Sequence, residues 1–509
     1  MRIEYRNQIG ELVTRLREQN GMTQAELAAK INTSQSAINR IENGKQNLTL
    51  DLISSLSQAL KTPLLTVNDD VITSFVVNGG KTLQGKIKVN SSKNAAVGVL
   101  TASLVNHGTT TFKGISRVEE TFRIIEVLES IGVKATWKNH NRDLVLVPPK
   151  KLNLDTLDVA AARRTRSAVL LLGTLVHTLP KFKLPFAGGC SLGERTVEPH
   201  LQALHHYGLA IEARDGFYEA TVTPVDSSDK TIIMLERGDT ATENALIGAA
   251  LFNGKTTIKN ASPNYMVQDV CFYLQSLGVK ITGVGTTTLV VHGKPRINKD
   301  VEYYPSEDPI EAMTFFAAAL VTKSKLTIQR VPIEFLEIEL ATLQEMNAKF
   351  TISPEYLANN RKTRLADVTF YPSDLKALED KIAPMPFPGL NIDCLPFFAI
   401  IAAAAEGRTM IHDWVYENRA IYLTELDRLG AKVQLLDAHR IFITGPTHFR
   451  PANMMTPPAL RPAVVLLLAM LATHGRSTLR NVYMINRGYS DIVRRLNSIG
   501  ADIKTVVGI

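Results

Sequence analysis

Apolar residues recur along most of this chain at intervals of three and four, and glycine interrupts them at regular distances. Near the start, Ile9, Leu12, Val13 and Leu16 keep helical spacing. Thr23-Gln24-Ala25-Glu26 has the form of a capping box and opens a second helix through Ala25, Leu27, Ala28 and Ile31. Asn32-Thr33-Ser34 ends that helix and caps a third from Gln35 to Asn43, which Gly44 closes. Leu48, Leu52, Ile53 and Leu56 predict a fourth. The pattern breaks from Thr62 to Asp70, so residues 1–66 read as a small all-helical domain and 67–74 as a linker.

From residue 75 a longer unit repeats. A helix with leucines three or four apart runs into glycine and then into an alternating strand. The turn residues are Gly132, Gly208, Gly278, Asn347, Gly430 and Gly500, spaced by 76, 70, 69, 83 and 70 residues. Asn347 suits a turn that needs the left-handed conformation. Each unit also carries a helix apolar on every side, such as Ala245–Leu251 and Phe397–Ala405, which must be buried all round. Periods near seventy are too long for common solenoids, and six units predict two pseudo-threefold α/β domains of three units each. The break between them is expected near residues 300–306.

Composition adds few constraints. A chain of 509 residues, 45% hydrophobic and 21% charged, has the balance of an ordinary globular protein of several domains. The charged start shows no signal peptide and the longest apolar run, Ala463 to Ala472, is too short to span a bilayer. Three cysteines do not make a disulfide framework, which fits a reducing cytoplasm. The net charge is +8, of which residues 1–66 supply only +2. The remaining excess suits either a solvated basic surface or a cleft for polyanionic substrates.

Two short helices across a tight turn, the second rich in Gln, Ser and Asn, form a helix-turn-helix arrangement. Met22 to Ala28 with Ser34 to Lys45 resembles the Cro/C1 type of DNA-binding domain. The resemblance implies double-stranded DNA as partner, with Gln24 on a phosphate and Gln35, Ser36 and Asn39 at base edges. Arg40 would add a backbone contact. The low charge leaves a protein-interaction module as the alternative.

Candidate chemistry centres on Cys190, in Gly188-Gly189-Cys190-Ser191-Leu192-Gly193-Glu194-Arg195. Three glycines allow the backbone to approach a ligand closely, and Arg195 favours the thiolate. The stretch resembles the active-site loop of the UDP-N-acetylglucosamine enolpyruvyl transferases. Ser91-Ser92-Lys93-Asn94, Asn391-Ile392-Asp393-Cys394, Val415-Tyr416-Glu417-Asn418-Arg419, Leu460-Arg461 and Asn486-Arg487-Gly488-Tyr489 resemble further motifs of that family. The resemblance implies an inside-out α/β barrel in each of two domains, helices central and sheets outside. It assigns residues 93–305 to one and residues 75–92 with 306–509 to the other.

It also implies roles. Lys93 would bind the phosphate or carboxylate of phosphoenolpyruvate and Asn94 the sugar. Arg166 would face the diphosphate or sugar, and Arg195 with His200 would grip phosphate and uracil. Val415 and Arg419 would touch the nucleotide sugar. Arg461 and Arg487 would complete the donor site, Asp393 would be the general base, and Cys190 would be the acid at C3 or assist product release, open to a fosfomycin adduct. A phosphate and a carboxylate each need a cation, so Lys93, Arg195, Arg461 and Arg487 are expected to converge. No residue cluster has metal-ligand spacing, and phosphoenolpyruvate is a co-substrate, so neither metal nor cofactor is expected.

Departures from the family pattern leave alternatives open. Ala459 and Asn486 stand where aspartates are usual, and Gly238-Asp239-Thr240 replaces a Ser-Val-Gly phosphate site. The reading is a cytoplasmic transferase of peptidoglycan precursor synthesis with a DNA-binding head. One alternative is a regulator whose degenerate body senses a nucleotide sugar. A second is a shikimate-pathway relative, against which the cysteine loop argues.

Overall fold

The computed structural model describes residues 10, 13, 14, 16–18, 20–46, 48, 50–60, 73–186 and 197–507. The chain divides into a head, Met1–Val71, and a body, Ile72–Ile509. In the head, Thr23 caps the helix Gln24–Lys30 reciprocally with Glu26, as its sequence dictates. Ser34 caps Gln35–Glu42, and Leu50–Ala59 follows. Val13, Leu27, Ile38, Ile41, Leu48 and Leu56 form the core. The Arg17 guanidinium, little exposed, donates to the buried Glu42 carboxylate at 2.5 Å and so ties the first helix to the third.

The body begins with the strand Thr73–Gly79, so Thr73 and Ser74 are sheet residues and not linker. The reason is pairing: Thr73 lies opposite Val507 and Ser74 opposite Val506, and this neighbouring strand outweighs the polarity of the segment. The rest of the expected linker, residues 67–72, lies outside the described residues.

Six sheets follow, one per repeat. Three are built from residues 73–88 and 325–507, three from residues 110–303. In five of them a strand that follows a buried helix has a parallel neighbour on one side and an antiparallel one on the other. Leu326, for example, lies opposite Gly85 in parallel and Phe370 in antiparallel register. The turn residue of every unit has positive φ, from 64° at Asn347 to 105° at Gly500.

The wholly apolar helices are the interior. Pro309–Val321 is buried over its entire length, and it packs with Leu395–Ala404 and Leu460–Ala472 in a mutual triad. Lys93–Ala102, the short helical run Arg166–Leu175 and Asp239–Leu251 make a second triad. With apolar atoms on every face, such helices are stable only when sheets enclose them. The architecture is two inside-out α/β barrels. The chain crosses between them at residues 89–92 and 304–308, which run side by side: Ser92 N donates to Ser306 O at 2.7 Å and Asp308 N to Asn90 O at 2.9 Å.

Candidate active site

The repeat explains how residues far apart in sequence meet. Each central helix carries its functional side chain at its N-terminal end. Lys93 opens Lys93–Ala102 behind the Ser92 cap, and Arg461 is the second residue of Leu460–Ala472. Asp393 and Cys394 immediately precede Leu395–Ala404, Asp308 caps Pro309–Val321, and Asp239 opens Asp239–Leu251. Helix N-termini present unpaired amides and partial positive charge, which favours anions.

Glu120, Arg461, Asp393 and Arg487 all act electrostatically on the buried Lys93. Arg461 is buried; it donates to Tyr489 Oη at 3.1 Å and to Asp393 Oδ2 at 3.4 Å. Arg419, also buried, donates to Asp393 Oδ1 at 3.5 Å, to the Ile392 carbonyl at 2.7 Å and to Asp413. Its guanidinium lies 4.3 Å from the Tyr416 ring centre, a cation–π contact. The Asp393 carboxylate is therefore bracketed by two arginines, while its amide donates to Asn391 Oδ1 at 2.9 Å.

Opposite, Glu120 accepts from Arg487 Nη2 at 2.9 Å and from Thr165 Oγ1 at 2.6 Å. Burial lowers the Lys93 pKa from its ordinary 10.5, and the Glu120 charge works against that shift. Asn94 Nδ2 donates to Tyr265 Oη at 3.0 Å, and the backbone amide of Lys93 donates to Asp308 Oδ2 at 3.3 Å.

His200 is buried; its Nδ1 meets Asn244 Nδ2 at 3.1 Å and its Nε2 meets Thr240 Oγ1 at 3.5 Å. Burial, helped by the Arg166 charge, pushes its pKa down to about 4. A neutral imidazole accepting from Asn244 at Nδ1 carries its proton on Nε2, toward Thr240. Asp239 accepts from Ser262 Oγ and from Asn264 Nδ2 at 3.1 Å, so polar neighbours hold its carboxylate, and burial raises its pKa. Val415 is exposed next to Trp414, whose indole donates to the Pro384 carbonyl at 2.7 Å. Ala459 is fully buried and gives its helix no side-chain cap. Cys190 and Arg195 lie outside the described residues.

In the head, Gln35, Ser36, Asn39 and Arg40 are exposed on the helix whose inner face buries Ile38 and Ile41. Gln24 is different, because its amide donates to Glu42 Oε2 at 2.7 Å. No helix among the described residues is long and apolar enough to cross a membrane. No group of His, Cys, Asp or Glu among them is arranged to hold a metal ion.

Of the four cations expected to converge, Lys93, Arg461 and Arg487 lie at one centre with Asp393 and Arg419, and Arg195 lies outside the described residues. The sequence assigns no role to Glu120, Asp308, Tyr265, Asp413 or Tyr489. Tyr489 stands in the string Asn486-Arg487-Gly488-Tyr489, and Asp308 has a local signal: an Asp-Pro pair opening an apolar helix is a helix start.

Known proteins resemble this chain in sequence and in fold. The family model described as EPSP synthase (3-phosphoshikimate 1-carboxyvinyltransferase) matches residues 77–496, and a helix-turn-helix model matches residues 13–67. A UDP-N-acetylglucosamine 1-carboxyvinyltransferase of Bradyrhizobium diazoefficiens is 31% identical over 85% of this chain and 98% of its own length. UDP-N-acetylglucosamine 1-carboxyvinyltransferase 2 of Caldanaerobacter subterraneus is 30% identical over 85% and 99%. The crystal structure of the enolpyruvyl transferase NikO from Streptomyces tendae superposes with a TM-score of 0.74 at 25% identity, covering 86% of this chain and all of that one. The chain is a transferase that belongs to the EPSP synthase family of enolpyruvyl (carboxyvinyl) transferases, carrying a helix-turn-helix domain ahead of the transferase body.

Proposed function

We propose that the body transfers the enolpyruvyl group of phosphoenolpyruvate to the 3-hydroxyl of UDP-N-acetylglucosamine and releases phosphate, a step of peptidoglycan precursor synthesis in the cytoplasm. We propose also that the head binds double-stranded DNA. The observation that carries the first reading is the Asp393 carboxylate, held at 3.4–3.5 Å by Arg461 and Arg419 beside Lys93 and Arg487.

The cations now answer protein carboxylates: Arg487 serves Glu120 and Arg461 serves Asp393. A donor with a phosphate and a carboxylate competes for the same guanidinium edges. Its arrival loosens Asp393 from Arg461 and frees an oxygen to accept the sugar hydroxyl proton. The sugar oxygen then bonds to C2 of phosphoenolpyruvate while C3 takes a proton, from Cys190 in this reading. The resulting ketal loses phosphate by cleavage of the C2–O bond and a proton from C3, which restores the vinyl group. Exclusion of water by the two barrels protects that intermediate. Asn94 and Val415 are the residues offered to the sugar nucleotide.

The test is phosphate release by the purified chain given phosphoenolpyruvate and UDP-N-acetylglucosamine. Asp393→Asn is expected to lower turnover by about 10²–10⁴-fold, the usual contribution of a positioned base. Cys190→Ser is expected to lose the fosfomycin adduct. Tight UDP-N-acetylglucosamine binding without phosphate release would rule out transfer to this acceptor.

A further inference from the structure

A second basic site lies on the outer side of the crossing that delivers Lys93. The strand Gln84–Lys88 buries Ile87 and, by its alternation, turns Lys86 and Lys88 outward on one face. The helix Ile492–Ser498 lies across from it and supplies Arg494 and Arg495. Between them is a cleft of about 280 Å³, lined by these four cations together with Asn90 and Ser490.

The carboxylates nearby do not cancel this charge. Asp491, at the rim, pairs with Arg494 at 2.9 Å. Glu311 pairs with Arg495 from behind. Lys86 and Lys88 have no carboxylate within ion-pair distance among the described residues. The carboxylates that feel them, Asp367 and Glu307, do not line the cleft, and Glu307 pairs with the Arg330 guanidinium. The lining of the cleft itself holds four cations and one carboxylate, Asp491, so an excess of positive charge faces it. Nothing in the transfer chemistry uses it.

The cleft is also built. Arg495 has only 12% of its side chain exposed; its guanidinium is fixed by Glu311, by the Lys88 carbonyl and by the Phe315 ring 5.0 Å away. Glu311 in turn accepts from the Asn90 amide at 2.6 Å and from Asn90 Nδ2 at 3.3 Å. A preorganised guanidinium, two lysines and a hydroxyl in a small concave space are the elements that recognise phosphate oxygens.

We propose that this cleft binds a small phosphate-bearing anion at a site distinct from the active centre. None of its lining residues belongs to that centre. Asn90 nonetheless lies three residues before Lys93, so the Arg495–Glu311–Asn90 chain is a direct route between the two.

The experiment measures pyrophosphate binding to the full chain by calorimetry at low salt. It uses a Lys93→Ala background, which weakens binding at the active centre. That protein is expected to retain a pyrophosphate site. Adding Lys86→Ala and Arg494→Ala, both at exposed positions, is expected to weaken it about tenfold or more. Equal affinity with and without the two added substitutions overturns the proposal. So does the absence of any binding by the folded Lys93→Ala protein at millimolar pyrophosphate. Competition by orthophosphate or by glucose 6-phosphate then separates a free inorganic ion from a phosphate ester.

Discussion

Arg487 and Glu120 meet at 2.9 Å although 367 residues separate them, and the contact joins the two barrels at the active centre. Arg487 follows the short helix Tyr483–Asn486, and Glu120 is the second residue of Glu119–Ser130. The pair links the two barrels at this site, and it places a negative charge next to Lys93.

That charge yields a pH prediction. Burial lowers the Lys93 pKa, and Glu120 is the first of the neighbours that oppose the shift. In Glu120→Gln the amide oxygen can still accept from Arg487, but the charge is gone. Lys93 then loses its proton at lower pH, so the alkaline limb of kcat/KM for phosphoenolpyruvate moves down. The pH–rate profiles of the two proteins decide it. An unmoved alkaline limb would show that Glu120 does not govern Lys93.

Behind the Asp393 turn, Glu339 accepts the Asn391 amide at 2.7 Å and lies against Cys394, and burial pushes its pKa from 4.5 up to about 7. An acid with a raised folded pKa contributes most below its unfolded value and loses that contribution as pH rises through the folded one. The window here is therefore about pH 4.5 to 7. Glu339→Gln keeps the acceptor for Asn391 without the charge. It is expected to match the parent near pH 4 and to exceed it at pH 8, by roughly 3 kcal/mol at most. Denaturation midpoints at the two pH values test it; a variant weaker than the parent at both rules it out.

The repeat supplies a comparison between equivalent turns. Gly208 and Gly500 both have positive φ, 85° and 105°. Alanine at either site pays the left-handed penalty of about 1 kcal/mol. At Gly208, however, a Cβ would meet the Thr223 carbonyl oxygen at 1.9 Å, whereas at Gly500 the nearest atom is Thr82 O at 3.4 Å. Gly208→Ala should therefore destabilise the body well beyond Gly500→Ala. Equal thermal shifts for the two would contradict the packing described at Gly208.

Much of this was legible in the sequence, for an identifiable reason. Helices with no polar face, such as Pro309–Val321, can only be interior, and turn residues at a fixed period can only mark repeats. Lys93, Asp393, Arg419, Arg461 and Arg487 stand in strings that resemble a family's motifs, which is why the sequence singles them out. Glu120 does not: an acid in the first turn of a helix is ordinary, and its role exists only because the other barrel brings Arg487 to it. Tyr489 and Asp413 share that property, since each matters through the arginine it holds. Thr73 and Ser74 misled because strand pairing with the chain's far end is invisible locally.

The head admits a test that separates base reading from backbone contact. Gln35 is exposed at the start of its helix and contributes nothing to the Ile38–Ile41 core, so Gln35→Ala should leave the domain folded. If Gln35 reads a base edge, the change costs about 1–3 kcal/mol on the preferred sequence and nothing on scrambled DNA. Arg40 donates through Nε to Gln46 at 3.0 Å and lies at the outer end of the same helix. As a phosphate contact, its replacement by Ala should weaken both DNAs alike and reduce the salt slope by about one. The measurement is fluorescence anisotropy at two salt concentrations, on a duplex selected from random sequence. Failure to enrich any sequence, together with an Arg40→Ala protein indistinguishable from the parent, would assign the head to protein contacts instead, because an exposed polar face that ignores phosphates has no means of holding a duplex.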